Sequence, residues 1–573
     1  MDENYKAMRY NCLVTDYDGT LANNDRVSAE AIQALKRLKA TSRKLVLVTG
    51  RQLEELQTVF PEFNLFDRIV AENGAVLYRP LEQETKLLAE RPPEIFIQML
   101  KQQNIPFSIG HVIVASSEPF HIGILDTIRV TGLEYQVIFN KGAVMVLPPG
   151  INKATGLHHA LRELQISEHN TVAIGDAEND NAMLQVAECA VAVQNALPQV
   201  ARIADWTTDQ PSGEGVIQLI DRIVNNDLLD LNTCLSRHFL TLGTEIDGSP
   251  YRICPYGDNI LVTGTSGSGK STLAAALIEK LVAKAYQFCL IDPEGDYQEL
   301  SGALTIGNSM QPPSINEVMD LLIKAEENVV VCILAIPLDD RPAYFKKLLH
   351  RIADLRRTTG RPHFLIMDEA HHLMPQENIL NPMEFPEDFN SFLAITLRPE
   401  LLDCELIKKS NIFLIMGEQP DHTIQMLANL IFEKIIMPAN LTLKKGDVLA
   451  WQKNHSQLRL FSSDTPNPLL MRHKRKYATG DMGGNSFYFN GPMHRMNLKA
   501  NNLMLFIQMG SGVDDETWLY HLCRHDYSNW FRNSVKDEEL ARHTKQIEDK
   551  DPNAFTSRRE IFKAILDRYT LPA

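Results

Sequence analysis

No apolar run in this chain is long. The longest, Val329 to Ile336, falls far short of the roughly 20 residues that a membrane helix needs. The opening Met1-Asp-Glu-Asn-Tyr5 has no basic-then-apolar leader, so a cytoplasmic location and no membrane partner are expected. Cysteine is sparse, 8 in 573 residues and never as C-x-x-C, which excludes a disulfide frame and a zinc knuckle and leaves reduced thiols. Positive charge is also short. The 57 Lys and Arg against 72 Asp and Glu give a net charge of -15, which weighs against a protein coated with nucleic acid but leaves room for a basic lining inside a ring or channel. What is plentiful is core material: 44% hydrophobic residues suffice for the roughly three or four domains that this length implies.

The most informative stretch is Asn259-Ile-Leu-Val-Thr-Gly264-Thr-Ser-Gly267-Ser-Gly269-Lys270-Ser271-Thr272, which fits G-x-x-x-x-G-K-[ST]. Ile260 to Val262 reads as a buried strand, and Thr272 to Glu279 has helical period. Between them, backbone amides at a helix N-terminus can cradle phosphates, with Gly264, Gly267 and Gly269 allowing the wrap. Lys270 then lies over the β- and γ-phosphates, and the Ser271 hydroxyl, followed by Thr272, reaches Mg²⁺. ATP or GTP binding is therefore expected, with ATP the nucleotide chosen.

Nearer the N-terminus, Cys12-Leu-Val-Thr-Asp16-Tyr-Asp18-Gly-Thr20 is a short strand breaking into two acids. Extended chain repeats every two residues, so Asp16 and Asp18 are expected on one side, where Mg²⁺ relieves their repulsion. Three later stretches extend the pattern: Lys44-Leu-Val-Leu-Val-Thr49-Gly50-Arg51, Asn152-Lys153-Ala-Thr-Gly156, and Val172-Ala-Ile-Gly-Asp176-Ala-Glu-Asn179-Asp180. They alternate with helical patterns at Ala29 to Ala40 and Gly156 to Leu164, which predicts an α/β fold with a parallel sheet and a site at the strands' carboxyl ends.

This ordered set resembles the four signatures of the haloacid dehalogenase (HAD) superfamily, in particular its Cof-like, type IIB sugar-phosphatase branch, over about residues 8–225. The resemblance implies a Rossmann-like domain whose Asp16 forms an aspartyl-phosphate and whose Asp18 protonates the leaving alkoxide and then activates water. It implies Thr49 and Lys153 on the phosphoryl oxygens, and Asp176 joining Asp16 and the Asp18 carbonyl around Mg²⁺. Gly50, Arg51, Asn179 and Asp180 are implied in support. The partner is then a phosphorylated small molecule. Between Glu72-Asn-Gly-Ala75 and Lys153, strand-like runs at His111 to Ala115, Thr127 to Val130 and Tyr135 to Phe139 suggest a small α/β cap, about residues 84–150, that closes over the substrate.

After a polar connector at Asn225 to Asp230, a second α/β domain is expected at 236–462. Phe288-Cys-Leu-Ile-Asp292-Pro-Glu-Gly-Asp-Tyr297 ends a strand in an acidic turn, and His363-Phe-Leu-Ile-Met-Asp368-Glu369-Ala-His-His372 ends another in adjacent acids. Asp368 suits the Mg²⁺ water shell and Glu369 the polarisation of attacking water, an ATPase pairing. With Thr396-Leu-Arg398-Pro399, the set resembles the HerA/FtsK-type, RecA-like motor ATPases, which implies a homo-oligomer, a hexameric ring, with Arg398 in support. The chain departs from that family at Leu397, where glutamine is usual and can hydrogen-bond a γ-phosphate as leucine cannot.

Closing strands are expected at Gly446 to Trp451 and Leu458 to Phe461, then a linker at 463–484 with the basic cluster Arg472 to Lys476, where nucleic-acid contact stays open. Residues 485–573 resemble a helical accessory module, with helical patterns at Leu498 to Met509, Asp515 to Arg524 and Ser534 to Arg542. Trp518, Leu522, Trp530 and Phe531 are its expected core, and His521 and Asp526 a structural pair. The leading expectation is a bifunctional phosphatase and ring-forming ATPase. A polynucleotide kinase/phosphatase and a nucleotide-switched scaffold in a defence or repair assembly are the alternatives.

Overall fold

The computed structural model describes residues 8–569 apart from 141, 299, 377–384, 387–388, 434, 436–442, 445, 454–457, 465–481, 483–484, 493–495, 536 and 551–552. The linker core and its basic cluster lie outside the described residues.

Two large sheets organise the molecule. In the first, six parallel strands run in the order Trp206–Thr207, Cys189–Ala192, Thr171–Gly175, Cys12–Thr15, Lys44–Val48 and Arg68–Ala71, followed by the antiparallel Val76–Arg79 and Glu84–Leu87. Alternation sends Leu13 to one face and Cys12 and Val14 to the other, and both faces are buried. Helices Ala29–Ala40 and Ser212–Asn226 cover one side, and Lys153–Leu164 the other. Each leucine so buried contributes roughly 1.5–3 kcal/mol.

A four-stranded antiparallel sheet, ordered Ser108–Ile109, Val114–Ser117, Ala143–Leu147 and Gln136–Asn140, forms the cap with helices Glu94–Gln102 and His121–Thr131. Its period of two divides the work: Val144 and Val146 face the cap's own core, whereas Met145 and Leu147 pack into the core of the first sheet. Two expectations are corrected here. Thr127 to Val130 is helical, because Ile124 and Thr127 bury one face of a helix and the Thr127 hydroxyl bonds to Gly123 O at 2.8 Å; a short apolar run does not by itself separate helix from strand. Glu84–Leu87 is the edge of the first sheet and not a cap strand.

The second sheet has seven parallel strands in the order Ile412–Met416, Asn259–Gly264, Phe392–Thr396, Phe364–Met367, Phe288–Asp292, Val329–Cys332 and Leu304–Ile306. Asp447–Gln452, Leu458–Ser463, Leu240–Glu245 and Pro250–Ile253 extend it antiparallel. The C-terminal region is mainly helical around Trp518, Leu522, Trp530 and Phe531, all buried. There, Leu498–Ala500 pairs with Phe487–Phe489 as a strand, and the helix begins only at Leu503, capped by Asn502. The helix expected from Ser534 instead starts at Glu538, after the Asp537 cap. Helices Asp526–Asn533 and Ala554–Tyr569 were not foreseen. No helix among the described residues is long and apolar enough to cross a membrane.

The two sheets meet at their amino ends. His169, Asn170 and Glu188 precede strands of the first sheet, and Tyr286 and His363 precede strands of the second. Glu188 is fully buried and takes Arg9 at 2.7 Å, His169 at 2.6 Å and the Tyr286 hydroxyl at 3.0 Å. The far nitrogen of His169 meets Lys284 O at 2.6 Å, its ring stacks on Tyr286 at 3.5 Å, and Asn170 joins Tyr256 and His363. Burial alone would raise the Glu188 carboxyl, but the His169 hydrogen bond and the charges of His169 and Arg9 outweigh it and hold it below the usual carboxylate range. A depressed carboxyl contributes stability that is full above its unfolded pKa, near 4.3, and fades as pH falls below it. Glu188→Gln should therefore cost about 3 kcal/mol or more at pH 7, lowering the midpoint of thermal unfolding, and the gap to wild type should narrow on acidification through pH 4; scanning calorimetry across pH reads both.

Candidate functional site: two phosphate-handling centres

Three neighbouring strands of the first sheet end within one residue of one another, since Thr15 pairs with both Ile174 and Leu47. Their next residues are Asp16, Thr49 and Asp176, all buried. Opposite them, Lys153 opens a helix capped by Asn152 in a reciprocal box with Thr155. Its ammonium lies 2.5 Å from Asp16 and 2.6 Å from Asp180. The second Asp180 oxygen accepts from the amides of Asp176 at 2.9 Å and Ala177 at 3.0 Å. Gly175 is required by this fold-back, because a Cβ there would lie 2.7 Å from the Asp180 Cβ. Thr20 steadies Asp176 through a 3.1 Å bond to its carboxylate.

Oxygens of Asp16, Asp176 and Asp180 lie within 4.8 Å of one another. Three buried carboxylates against one ammonium leave two negative charges, an excess that fits a divalent cation with oxygen ligands. Burial and the Asp180 charge push the Asp16 carboxyl up, against the pull of Lys153, a penalty on its charged form that a cation would relieve. For Lys153, burial works to lower the ammonium pKa, but Asp16 and Asp180 hold it above its ordinary value.

Asp18 is placed differently from the expectation. The strand ends at Thr15, so strict alternation does not carry through to position 18. While Asp16 is buried on Lys153, the Asp18 carboxylate is half exposed and clasped by Arg51, whose Nε lies 3.0 and 2.8 Å from its two oxygens. Arg51 also bonds Asp25 and Glu55. The Thr49 hydroxyl accepts from the Arg51 amide at 3.1 Å. Asn179 reaches Asn73 at 3.2 Å and not Lys153, and a Cβ on Gly50 would meet the cap's Met145 at 3.2 Å.

In the second sheet, the strands ending at Gly264 and Met367 flank the one ending at Thr396, all parallel, so the glycine loop and Asp368–Glu369 emerge at the same end of the sheet. Gly264 must be glycine: its φ is 154° and a Cβ would lie 2.0 Å from Met416 O. Gly267 and Gly269 also have positive φ, and Gly269 immediately precedes the helix Lys270–Ala283, with Ser271 and Thr272 in its first turn. Lys270 is folded onto its own loop, 2.8 Å from Gly264 O and 2.9 Å from Thr265 O. Asp368 is buried, whereas Leu397 and Arg398 are exposed. Asp292 spends its carboxylate on the amides of Glu294, Gly295, Asp296 and Tyr297, at 3.3, 2.9, 3.1 and 2.8 Å, and so shapes its own turn. His371 stands beside both strand ends: its Nδ1 lies 3.1 Å from the Thr396 hydroxyl and 3.5 Å from a Glu369 oxygen. Burial and the neighbouring His372 and Arg398 bring its pKa down to about 4, so the ring is neutral at pH 7.

A strand-end acid set facing a helix-start lysine, beside a second sheet with a glycine loop and paired acids, defines a two-unit α/β hydrolase. A model of haloacid dehalogenase-like hydrolases matches residues 13–117 and 133–220, and a model of an AAA domain matches 256–403. Phosphoglycolate phosphatase 2 of Saccharolobus solfataricus is 30% identical over 221 residues, 38% of this chain and 93% of that protein. The phosphoglycolate phosphatase of Methanothermobacter thermautotrophicus is 28% identical over 37% of this chain and 98% of its own length. A solved haloacid dehalogenase-like hydrolase from Bacteroides thetaiotaomicron covers 37% of this chain and 99% of that one at 22% identity, with a TM-score of 0.34. Through its first unit the chain belongs to the haloacid dehalogenase-like hydrolases, and behind that unit it carries a P-loop AAA-type domain.

Lys153→Met should leave Asp16 and Asp180 buried without their cation. A loss of about 3–5 kcal/mol is expected, partly restored by millimolar Mg²⁺, and thermal shift with and without the metal measures both.

Proposed function

We propose that the chain is a bifunctional enzyme: a Mg²⁺-dependent phosphomonoesterase at residues 8–225 joined to a ring-forming ATPase at 236–462, with an accessory module at 485–573. The observation that carries this reading is the buried acid cluster with its single lysine at the carboxyl end of one sheet, matched by a phosphate loop at the same end of another.

Asp16 attacks phosphorus; a bond forms from its carboxylate oxygen and the ester P–O bond breaks. Asp18 gives the leaving oxygen its proton, then takes one from the water that cleaves the aspartyl-phosphate, so each step has a proton donor or acceptor. Thr49 and Lys153 hold the phosphoryl oxygens, and Lys153 gives up part of its hold on Asp16 as they arrive. Mg²⁺ held by Asp16 and Asp176 supplies charge neutralisation when bound. Arg51 holds Asp18, half exposed, at the rim of the centre. The relatives named for phosphoglycolate favour a small phosphorylated acid as substrate.

In the second unit, Lys270, Ser271 and Thr272 would hold the phosphates of ATP and its Mg²⁺, together with Asp368. Glu369 polarises water. Thr396 to Pro399 supports a HerA/FtsK-like homo-oligomer, a hexamer, with the exposed Arg398 available to a neighbouring subunit. Leu397 removes the side chain that would read the γ-phosphate, and nucleotide state then controls assembly or phosphatase access in place of motion along DNA.

The amino-end junction keeps both centres away from it, each roughly 17 Å along its strands. Asp16→Asn should lower phosphate release from an aryl phosphate by about a thousandfold or more and leave ATP turnover within about twofold; Lys270→Ala should do the reverse. Loss of both activities from either substitution would sink the two-centre reading.

A further inference from the structure

Glu72 is fully buried, and among the described residues its carboxylate is met by backbone amides alone. One oxygen accepts from His111 N at 2.7 Å, the other from Val112 N at 2.8 Å and Ile113 N at 2.9 Å. These amides form the tip of the cap hairpin between Ser108–Ile109 and Val114–Ser117, closed by a 2.9 Å bond from Gly110 N to Ile113 O. Successive amides turned inward make an anion-binding concavity, and here the anion is a side chain of the other layer. Gly110 lets the tip close: a Cβ there would lie 2.5 Å from the Glu72 carboxylate.

The main chain of Glu72 is tied to the centre. Its amide bonds Arg51 O at 2.9 Å, and the next amide, of Asn73, bonds Thr49 O at 2.9 Å. Glu72, Asn73 and Gly74 all have positive φ, at 52°, 56° and 109°, an arrangement that two non-glycine residues keep only when their surroundings enforce it. Gly74 in turn lets Asn152 O, just before Lys153, approach to where a Cβ would lie 1.9 Å away. One turn thus touches the Thr49–Arg51 segment, the start of the Lys153 helix and the cap. Two weaker contacts flank it, His111 to Glu54 at 2.9 Å and Gln52 to Ser108 at 3.1 Å.

We propose that Glu72 is a positioning residue for the hydrolase: its buried charge clamps the tip of the cap hairpin over the strand ends and sets the height of the cap above Asp16, so that the centre admits a small phosphorylated acid in preference to a bulky ester. The proposal rests on the phosphatase reading given above. A neutral amide at position 72 turns a donor toward other donors, and a shorter carboxylate keeps the charge but draws it back from the tip.

The test uses the full chain with Mg²⁺ and compares Glu72→Ala, Glu72→Gln, Glu72→Asp and, from the cap side, Gly110→Ala. Hydrogen exchange of a peptide spanning 109–114 should quicken by about tenfold or more in Glu72→Ala and in Gly110→Ala, with the Asp16 and Lys153 peptides unchanged. KM for phosphoglycolate should rise by about tenfold or more, while kcat for an aryl phosphate stays within about threefold; Glu72→Asp should recover part of the KM and Glu72→Gln little. Wild-type exchange at 109–114 in both Glu72→Ala and Gly110→Ala would overturn the clamp. Faster exchange with KM unmoved, or with kcat for both esters lost together, would overturn the positioning role. A wild-type chain inactive on both esters but protected at 109–114 overturns the phosphatase reading and leaves the clamp standing.

Discussion

Burying a carboxylate is costly unless something neutralises it, and this chain accepts that cost at each of its joints. Asp16 and Asp180 are joined by Lys153, whose ammonium links the first strand of the sheet to the loop after Gly175. Glu188 is met by Arg9, His169 and Tyr286 where the two sheets abut. Glu72 and Asp292 are met by backbone amides, one from the cap and the other from its own turn. Remove any of these partners and a charge is stranded in a low-dielectric interior, so each acid holds in place the elements that supply its partners.

The way the sheets join decides how the centres relate. Parallel strands place catalytic groups at their carboxyl ends, and these two sheets meet by their amino ends. The helix Lys270–Ala283 starts at the phosphate loop and stops against the junction, where the Lys284 carbonyl meets His169. From there the strand Thr171–Gly175 runs to Asp176. Packed elements therefore connect the two centres, although among the described residues no side chain is shared between them.

Within the second unit, residues specialise in ways their types do not announce. Asp292, in the most distinctive turn of that unit, organises backbone. His371, beside the acids, is a neutral ring whose Nδ1 meets the Thr396 hydroxyl, at the strand end that precedes Leu397.

The sequence by itself determined the strand-end motifs, and Asp16, Asp176, Asp180 and Lys153 come together as their spacing and resemblance required. Such motifs are local: a short apolar strand, a tight turn and a helix start specify where a side chain emerges. The two-sheet architecture was legible for the same reason. The exact partners were not. That Asp18 turns to Arg51, that Thr127 to Val130 coils and does not extend, and that Asn179 reaches Asn73 depend on which neighbours arrive from elsewhere in the chain. Glu72, read in sequence only as the edge of an insertion, acquires its role from amides some forty residues away. Only the tertiary structure decided the junction at Glu188 and the clamp at Glu72, because a buried charge takes its meaning from partners that folding alone brings to it.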